Sequence, residues 1–464
     1  MEIEFFGAAR EVTGSCHIVR LLGQTILLDC GLFQGRRSDV QRKNQTLPTS
    51  IGAIDAIVLS HAHIDHAGRL PLLVRGGYAK TIHATRATRD LCEVMLADAA
   101  HIQEQDAAFL ARRKKIHADP LYGQRDVVRT MELIRATPYG RSVEVVPGVH
   151  ATFVDAGHIL GSASITLTWN EGSRQRRLAF SGDIGRSGLA IIRDPEPPDG
   201  VSALIMESTY GNRDHAAVDD AKENLARVVR ETAARGGRVL IPAFAVGRTQ
   251  ELVYDLHELS ASGRIPSVPI VIDSPLATRA TEVFLRNTEI FDEGEQFVRE
   301  FAGRRSDLFS FPLLRFTQSV EESKALNQQA GPLIIIAASG MAESGRILHH
   351  LLNGAGDPRN TILVVGFMAQ HTLGRRIVER QPVLKLLGEE VPLRARVEIL
   401  NGYSAHADRG GLLAWADAVR RGSPELSGVW LVHGEPDAQD TLAAVLVEHG
   451  MKAHCPTPGT RAIL

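Results

Sequence analysis

The run His61-Ala62-His63-Ile64-Asp65-His66 places three imidazoles and a carboxylate within six residues. The apolar stretch Ala56-Ile57-Val58-Leu59-Ser60 precedes it and Ala67-Gly68 follows it, so the cluster reads as a loop at a strand end. Ligand-type side chains packed this closely need solvent or a partner. Imidazole and carboxylate together suit zinc, and this spacing supplies nitrogen and oxygen donors for two adjacent divalent ions. His61 and His63 can turn toward one ion, and Asp65 and His66 toward the next. Such a loop needs further donors from distant parts of the chain, and that requirement constrains the fold.

Suitable donors recur at the ends of apolar runs, next to glycine. Asp29 ends the run 25–28 and is followed by Cys30-Gly31. His158 lies in Gly157-His158-Ile159-Leu160-Gly161, after the run 151–154. Asp183 follows Ser181-Gly182, and His433 follows the run 428–432 and precedes Gly434-Glu435. Loops at strand ends are where side chains are presented into a cleft.

A chain of 464 residues should form two or more domains. No uninterrupted apolar stretch approaches a membrane span, and the N-terminus enters a strand at 3–6 with no basic and apolar leader. A cytoplasmic protein with no membrane partner is therefore expected. Cys16, Cys30, Cys92 and Cys455 are dispersed without metal-ligand spacing and read as buried thiols rather than a disulfide framework. A net charge of −2 does not advertise nucleic-acid binding, although bound metal ions and a localised patch would add positive potential.

Residues 1–205 alternate strands and turns around a helical stretch at 86–113. The basic run Arg112-Arg113-Lys114-Lys115 reads as a solvated face. Runs at 165–169 and 177–180 flank Asn170-Glu171-Gly172-Ser173, a hairpin by its turn chemistry, and the proline-rich stretch 194–200 reads as a linker. Further on, strands at 238–241, 269–272, 333–337 and 361–365 alternate with helical patterns, which predicts βαβ units on a parallel sheet. Runs at 396–400 and 429–432 return to short strands. With metal-donor candidates on both sides, the middle is expected to be an insert: 1–207 and 396–464 form one domain and 208–395 the other.

The order Asp29, His61-x-His63-x-Asp65-His66, His158, Asp183 resembles the metallo-β-lactamase fold hydrolases. Further segments resemble their nucleic-acid-processing branch, the β-CASP group: Glu207-Ser208-Thr209-Tyr210-Gly211, Tyr403-Ser404-Ala405-His406-Ala407-Asp408 and Val432-His433-Gly434-Glu435. Pro242-Ala243-Phe244-Ala245-Val246-Gly247-Arg248-Thr249-Gln250-Glu251 and Ala338-Ser339-Gly340-Met341 add to the likeness, which spans nearly the whole chain. It is closest in kind to the nuclease subunit of the cleavage and polyadenylation factor and its stand-alone bacterial and archaeal counterparts. The resemblance implies an α/β protein, an αβ/βα metallo-β-lactamase sandwich carrying an inserted β-CASP α/β domain. It also implies a zinc-dependent ribonuclease acting on single-stranded RNA. The cut is expected to be endonucleolytic, with 5′-exonuclease action and a homodimer left open.

Ligand chemistry assigns two Zn2+ ions. His61, His63 and His158 would hold one, and Asp65, His66 and His433 the other, with Asp183 bridging because a carboxylate has two oxygens to share. Asp29 would orient ligands or water, and Asp65 is counted with it among the catalytic residues. His406 would donate a proton to the leaving sugar oxygen, with the Glu207 carboxylate holding and charging the imidazole. Ser339, Gly340, Ser404 and Arg248 are candidate phosphate contacts, and Thr249 a candidate helix N-cap. Two other readings stand beside this one. A small-molecule thioester or lactone hydrolase would use the same metal core, and a catalytically silent RNA-processing scaffold would have lost it.

Overall fold

The computed structural model describes every residue except 36, 115–118, 216–217, 293–304, 367, 369–371 and 464. Lys115 of the basic run falls among these, and the side chains beside it at 112–114 lie outside the described residues as well. The chain divides into two compact units. The first comprises Met1–Ser187, Arg193–Asp214 and His406–Leu464, and the second Gly188–Ile192 and His215–Ala405.

In the first unit, one seven-stranded sheet runs in the order Thr460–Ile463, Glu2–Gly7, Cys16–Leu21, Gln24–Leu28, Ala56–Val58, Ile82–Ala84, Ile134–Ala136. A second runs Ala453–His454, Val429–Val432, Ala203–Glu207, Arg174–Phe180, Ala163–Glu171, Val149–Asp155, Val143–Val146. Strand alternation decides which face is buried. Along Glu2–Gly7, Ile3 and Phe5 enter the core while Glu2 and Glu4 turn away and pair with Arg20, at 2.8 and 2.9 Å. Ile26, Leu28 and Val58 from the first sheet meet Phe153, Leu167, Phe180 and Val432 from the second in one apolar cluster. Each such side chain contributes roughly 1.5–3 kcal/mol when fully buried. The far face of the second sheet is covered by helices Arg409–Gly422 and Pro436–Glu448, through Leu412, Trp415, Leu442 and Leu446. These are the packed layers of an αβ/βα sandwich. The helix expected at 86–113 spans Arg86–Lys114, and the expected hairpin pairs Ala163–Glu171 with Arg174–Phe180. The stretch 194–200 separates no domains: it stays with the first unit, where Glu196 donates its backbone N–H to the Asp155 carbonyl at 2.8 Å.

The second unit is built on a six-stranded sheet in the order Leu314–Phe316, Ile270–Ile272, Leu333–Ala337, Arg238–Pro242, Thr361–Val364, Arg396–Ile399. Every pairing in it is parallel. Leu333–Ala337 is buried at all five positions, as a strand covered on both faces must be. Both boundaries require correction: the insert begins at His215 rather than 208 and also takes in Gly188–Ile192. The expected return to the first domain at 396 falls instead at His406, because Arg396–Ile399 pairs with Thr361–Val364 as the sixth strand of the insert. Its apolar pattern does not tell which sheet it joins. A small hairpin of Val383–Leu386 and Glu389–Pro392 was not anticipated.

Asp273, fully buried at the end of Ile270–Ile272, organises this unit. It accepts hydrogen bonds from Thr317 Oγ1, from Ser323 Oγ at 2.5 Å, from Arg346 Nη1 at 2.6 Å and from His350 Nε2 at 2.6 Å. Burial alone would raise its pKa, but these donors hold it below the ordinary carboxylate range. Asp273→Ala should destabilise the second unit by about 3–5 kcal/mol, since Arg346 and His350 lose their partner. A depressed folded pKa gives stability that is present above the unfolded value of about 3.9 and lost as pH falls below it. The wild-type advantage in denaturant melts should therefore shrink as pH drops below about 4; an advantage independent of pH would remove the charge from this account.

Candidate metal centre

The donors of the first unit gather because each follows the carboxyl end of a strand. Asp29 follows Gln24–Leu28, the histidine cluster follows Ala56–Val58, and His158 follows Val149–Asp155. Asp183 follows Arg174–Phe180, Glu207 ends Ala203–Glu207, and His433 follows Val429–Val432. Close packing of these loops uses small residues. A side chain at Gly31 would place its Cβ 1.5 Å from the Asp65 carbonyl oxygen, so only glycine lets the Asp29 loop pass beneath the histidine loop.

Two groups of donors result. In the first, His63 Nδ1 lies 3.1 Å from His61 Nε2 and 3.1 Å from His158 Nε2. Two nitrogens bound to one tetrahedral zinc lie about 3.3 Å apart, so this spacing is that of a ligand shell. Burial, with the charge of His66 and other imidazoles, lowers the His61 pKa well below its usual value, and burial lowers that of His63 to about 4. Both are neutral, as ligands must be. Asp183 Oδ2 stands 3.5 Å from both His61 Nε2 and His158 Nε2, while its Oδ1 stands 3.3 Å from His66 Nε2 in the second group. That buried Oδ1 has no hydrogen-bond donor among the described residues, which is costly unless a cation takes it. Burial opposes ionisation of Asp183, but His433, His66 and His61 hold its pKa well down. The set fits a pair of divalent ions.

The second group is Asp65, His66 and His433. His66 Nε2 lies 3.1 Å from His433 Nε2, which is 3.5 Å from Asp65 Oδ2. Burial disfavours a charged His66, yet Asp183 and Asp29 raise its pKa, so an ion binding here displaces a proton. His66 Nδ1 donates to Asp29 Oδ2 at 2.7 Å, which turns Nε2 toward the group. Asp29 also accepts from the Ser60 amide at 2.8 Å, Ser60 Oγ at 2.9 Å and Ser15 Oγ at 3.0 Å. Thr209 does for His433 what Asp29 does for His66: its Oγ1 donates to the His433 carbonyl at 3.0 Å and accepts from Nδ1 at 3.1 Å. Sequence reasoning missed Ser15, Ser60 and Thr209, because nothing marks a hydroxyl as the partner of a distant ring.

His406 stands beside both groups. Its Nδ1 lies 3.1 Å from Glu207 Oε1 and 4.0 Å from Asp183 Oδ2. Glu207 is fully buried and fixed by the amides of Ile184 at 2.6 Å and Thr209 at 3.1 Å. Burial lowers the His406 pKa but Glu207 and the nearby aspartates raise it more, to about 9; cations at the neighbouring donors would pull it back. Asp408, two residues on, accepts from the Gly411 amide at 2.8 Å and caps Arg409–Gly422, which anchors the loop.

The phosphate candidates all lie in the second unit. Ser339 Oγ accepts from the amides of Glu343 at 3.1 Å and Ser344 at 3.2 Å, closing the Ser339-Gly340 turn. Ser404 is buried. Arg248 is buried, paired with Glu251 and set 5.7 Å over the Tyr403 ring, so its guanidinium is committed within the unit. Thr249 is not the N-cap, a position held by Gly247; its hydroxyl donates to the Phe244 carbonyl at 2.7 Å. Cys16, Cys30 and Cys92 are buried as expected, and Cys455 only partly.

Three family models match the chain: the metallo-beta-lactamase superfamily at residues 9–226, the Beta-Casp domain at 249–377, and the Zn-dependent metallo-hydrolase RNA specificity domain at 390–456. Fold and site define a metal-dependent hydrolase of the metallo-β-lactamase superfamily. Ribonuclease TTHA0252 of Thermus thermophilus is 38% identical over 97% of this chain and 97% of its own length. Transcription termination factor FttA of Methanosarcina mazei is 30% identical over 96% of this chain and 68% of its own length. The chain belongs to the β-CASP family. A solved structure of an Enterococcus faecalis protein of unknown function shares the fold, with a TM-score of 0.56 at 12% identity over 100% of this chain and 99% of that one.

Loss of an outer partner of a metal-ligating histidine typically lowers affinity about 10–100-fold. Asp29→Asn and Thr209→Val should each do so for zinc, measured by chelator competition. Wild-type affinity in both variants would dismiss these residues as orienting groups.

Proposed function

We propose that this chain is a zinc-dependent ribonuclease that cuts single-stranded RNA endonucleolytically in the cytoplasm. The family membership supports a hydrolase acting on RNA, and the observation that carries the reading is the buried Glu207 carboxylate 3.1 Å from His406 Nδ1, beside both donor groups. A cytoplasmic setting agrees with four free thiols. His61, His63 and His158 would hold one zinc ion and Asp65, His66 and His433 the other, with Asp183 placed between the two groups. When bound, the two ions supply Lewis acidity to the phosphodiester and lower the pKa of water toward about 7.

The chain's own groups do the rest. With Nδ1–H given to Glu207, His406 carries its transferable proton on Nε2 and delivers it to the departing sugar oxygen. Glu207 fixes the ring and stabilises its protonated form, so the proton is available at neutral pH. Asp65 stays ionised despite burial because His433 and His66 favour its charge, which suits a ligand. Asp29 keeps His66 in the tautomer that points Nε2 at the donor group.

His433→Ala should lose zinc and rate together. His406→Ala should keep zinc and RNA affinity while turnover falls by roughly two to four orders of magnitude. A nitrophenyl phosphodiester, whose leaving group needs little protonation, should lose far less, and Glu207→Gln should show a milder version of the same pattern. Equal losses of His406→Ala on both substrates, with zinc depleted, would make His406 a ligand instead. Labelled RNA bearing either a 5′-phosphate or a 5′-hydroxyl should yield internal fragments from both; mononucleotides released only from the phosphorylated strand would overturn the endonucleolytic mode.

A further inference from the structure

Phe244 stands out in the second unit. It is 47% exposed, although Ala243 and Ala245 on either side are buried. Its backbone is tied to the start of helix Arg248–Ala261: the Phe244 carbonyl accepts from Thr249 Oγ1 at 2.7 Å and from the Thr249 amide at 3.3 Å. The Ala243 amide donates to the Ala337 carbonyl at 3.1 Å, binding this loop to the strand that leads into Ser339-Gly340. A Cβ on Gly340 would sit 2.8 Å from Phe244 Cδ2 and 2.9 Å from both Cγ and Cε2. Three adjacent ring carbons can be that near one point only if it lies over the ring plane. One face of Phe244 therefore rests on Gly340, and any other residue there would push the ring away. With that face covered, 47% of the residue is still exposed.

A ring held by its backbone, seated on glycine and still exposed over about half its surface is preorganised for a flat partner. A protein interface would need an apolar patch, but the nearby residues Glu343, Ser344 and Gly345 are exposed and polar or small. Bases of single-stranded nucleic acid stack on exposed aromatic rings whatever their sequence, because every base has a π-face. We propose that Phe244 is a stacking platform for one unpaired base of the substrate, placed next to the Ser339-Gly340 turn. This rests on the ribonuclease reading and extends it from phosphodiester chemistry to how a base is held. It makes Phe244 a substrate-positioning residue and leaves recognition at that base sequence-tolerant.

The test compares zinc-loaded wild type, Phe244→Ala, Phe244→Leu and Phe244→Trp on a single-stranded RNA and on a nitrophenyl phosphodiester that has no base to stack. The kcat/KM ratio of RNA to phosphodiester should fall roughly tenfold in Phe244→Ala and Phe244→Leu through a higher KM for RNA, and Phe244→Trp should restore it. An abasic residue walked through the RNA should find one position that costs wild type a similar factor and costs Phe244→Ala nothing more. In a His406→Ala background, RNA affinity measured by fluorescence anisotropy should show the same loss on removing the ring. Unchanged ratios in both Phe244→Ala and Phe244→Leu would overturn the proposal, as would equal losses on both substrates in all three variants. Wild-type protein that hydrolyses the phosphodiester but no RNA would instead sink the ribonuclease reading.

Discussion

The site turns on one buried carboxylate. Asp183 is 2% exposed and held within 3.5 Å of four imidazoles, its two oxygens facing different donor groups. A carboxylate removed from water is costly unless opposite charge or hydrogen bonds compensate. His433, His66 and His61 favour its charge, yet one of its oxygens lacks a hydrogen-bond donor among the described residues. A metal ion held by the flanking donors would supply the missing compensation. The two-sheet core holds several strand ends at this spot.

Holding them there needs backbone in unusual shapes. Asp29 and His433 both adopt left-handed conformations, with φ of 61° and 51°, which costs of order 1–3 kcal/mol at such residues. Each is overdetermined by its surroundings. Asp29 is gripped through its carboxylate by Ser60, Ser15 and His66, while the His433 amide donates to the Ala8 carbonyl at 2.6 Å and its ring and carbonyl engage Thr209. The strain is borne by these partners, which hold the two loops in place.

This division explains what could be read from the chain before its structure was known. Donor residues announce themselves, because histidine and aspartate beside glycine at the end of an apolar run are an uncommon combination. The parallel sheet of the insert was legible for a similar reason: runs such as Leu333–Ala337 are apolar at every position. Ser15, Ser60 and Thr209 were not, since hydroxyls are common and their partners lie far off in sequence. The affiliation of Arg396–Ile399 was hidden too, because a four-residue strand carries no mark of the sheet it will join. The pairing of Arg248 with Glu251 was likewise not legible, because the sequence does not tell which partner a basic residue at a helix start will take.

The donors also differ in when they exist. His61, His63, His158 and Asp183 all precede residue 184, whereas His406 and His433 lie beyond the whole second unit. During synthesis the first donor group is therefore complete long before the proton donor and the last imidazole emerge. A growing chain lacks His406, His433 and the strand Val429–Val432 that pairs with Ala203–Glu207 until the insert has been made. The insert's synthesis therefore separates the first donor group from His406 and His433 in time as well as in sequence.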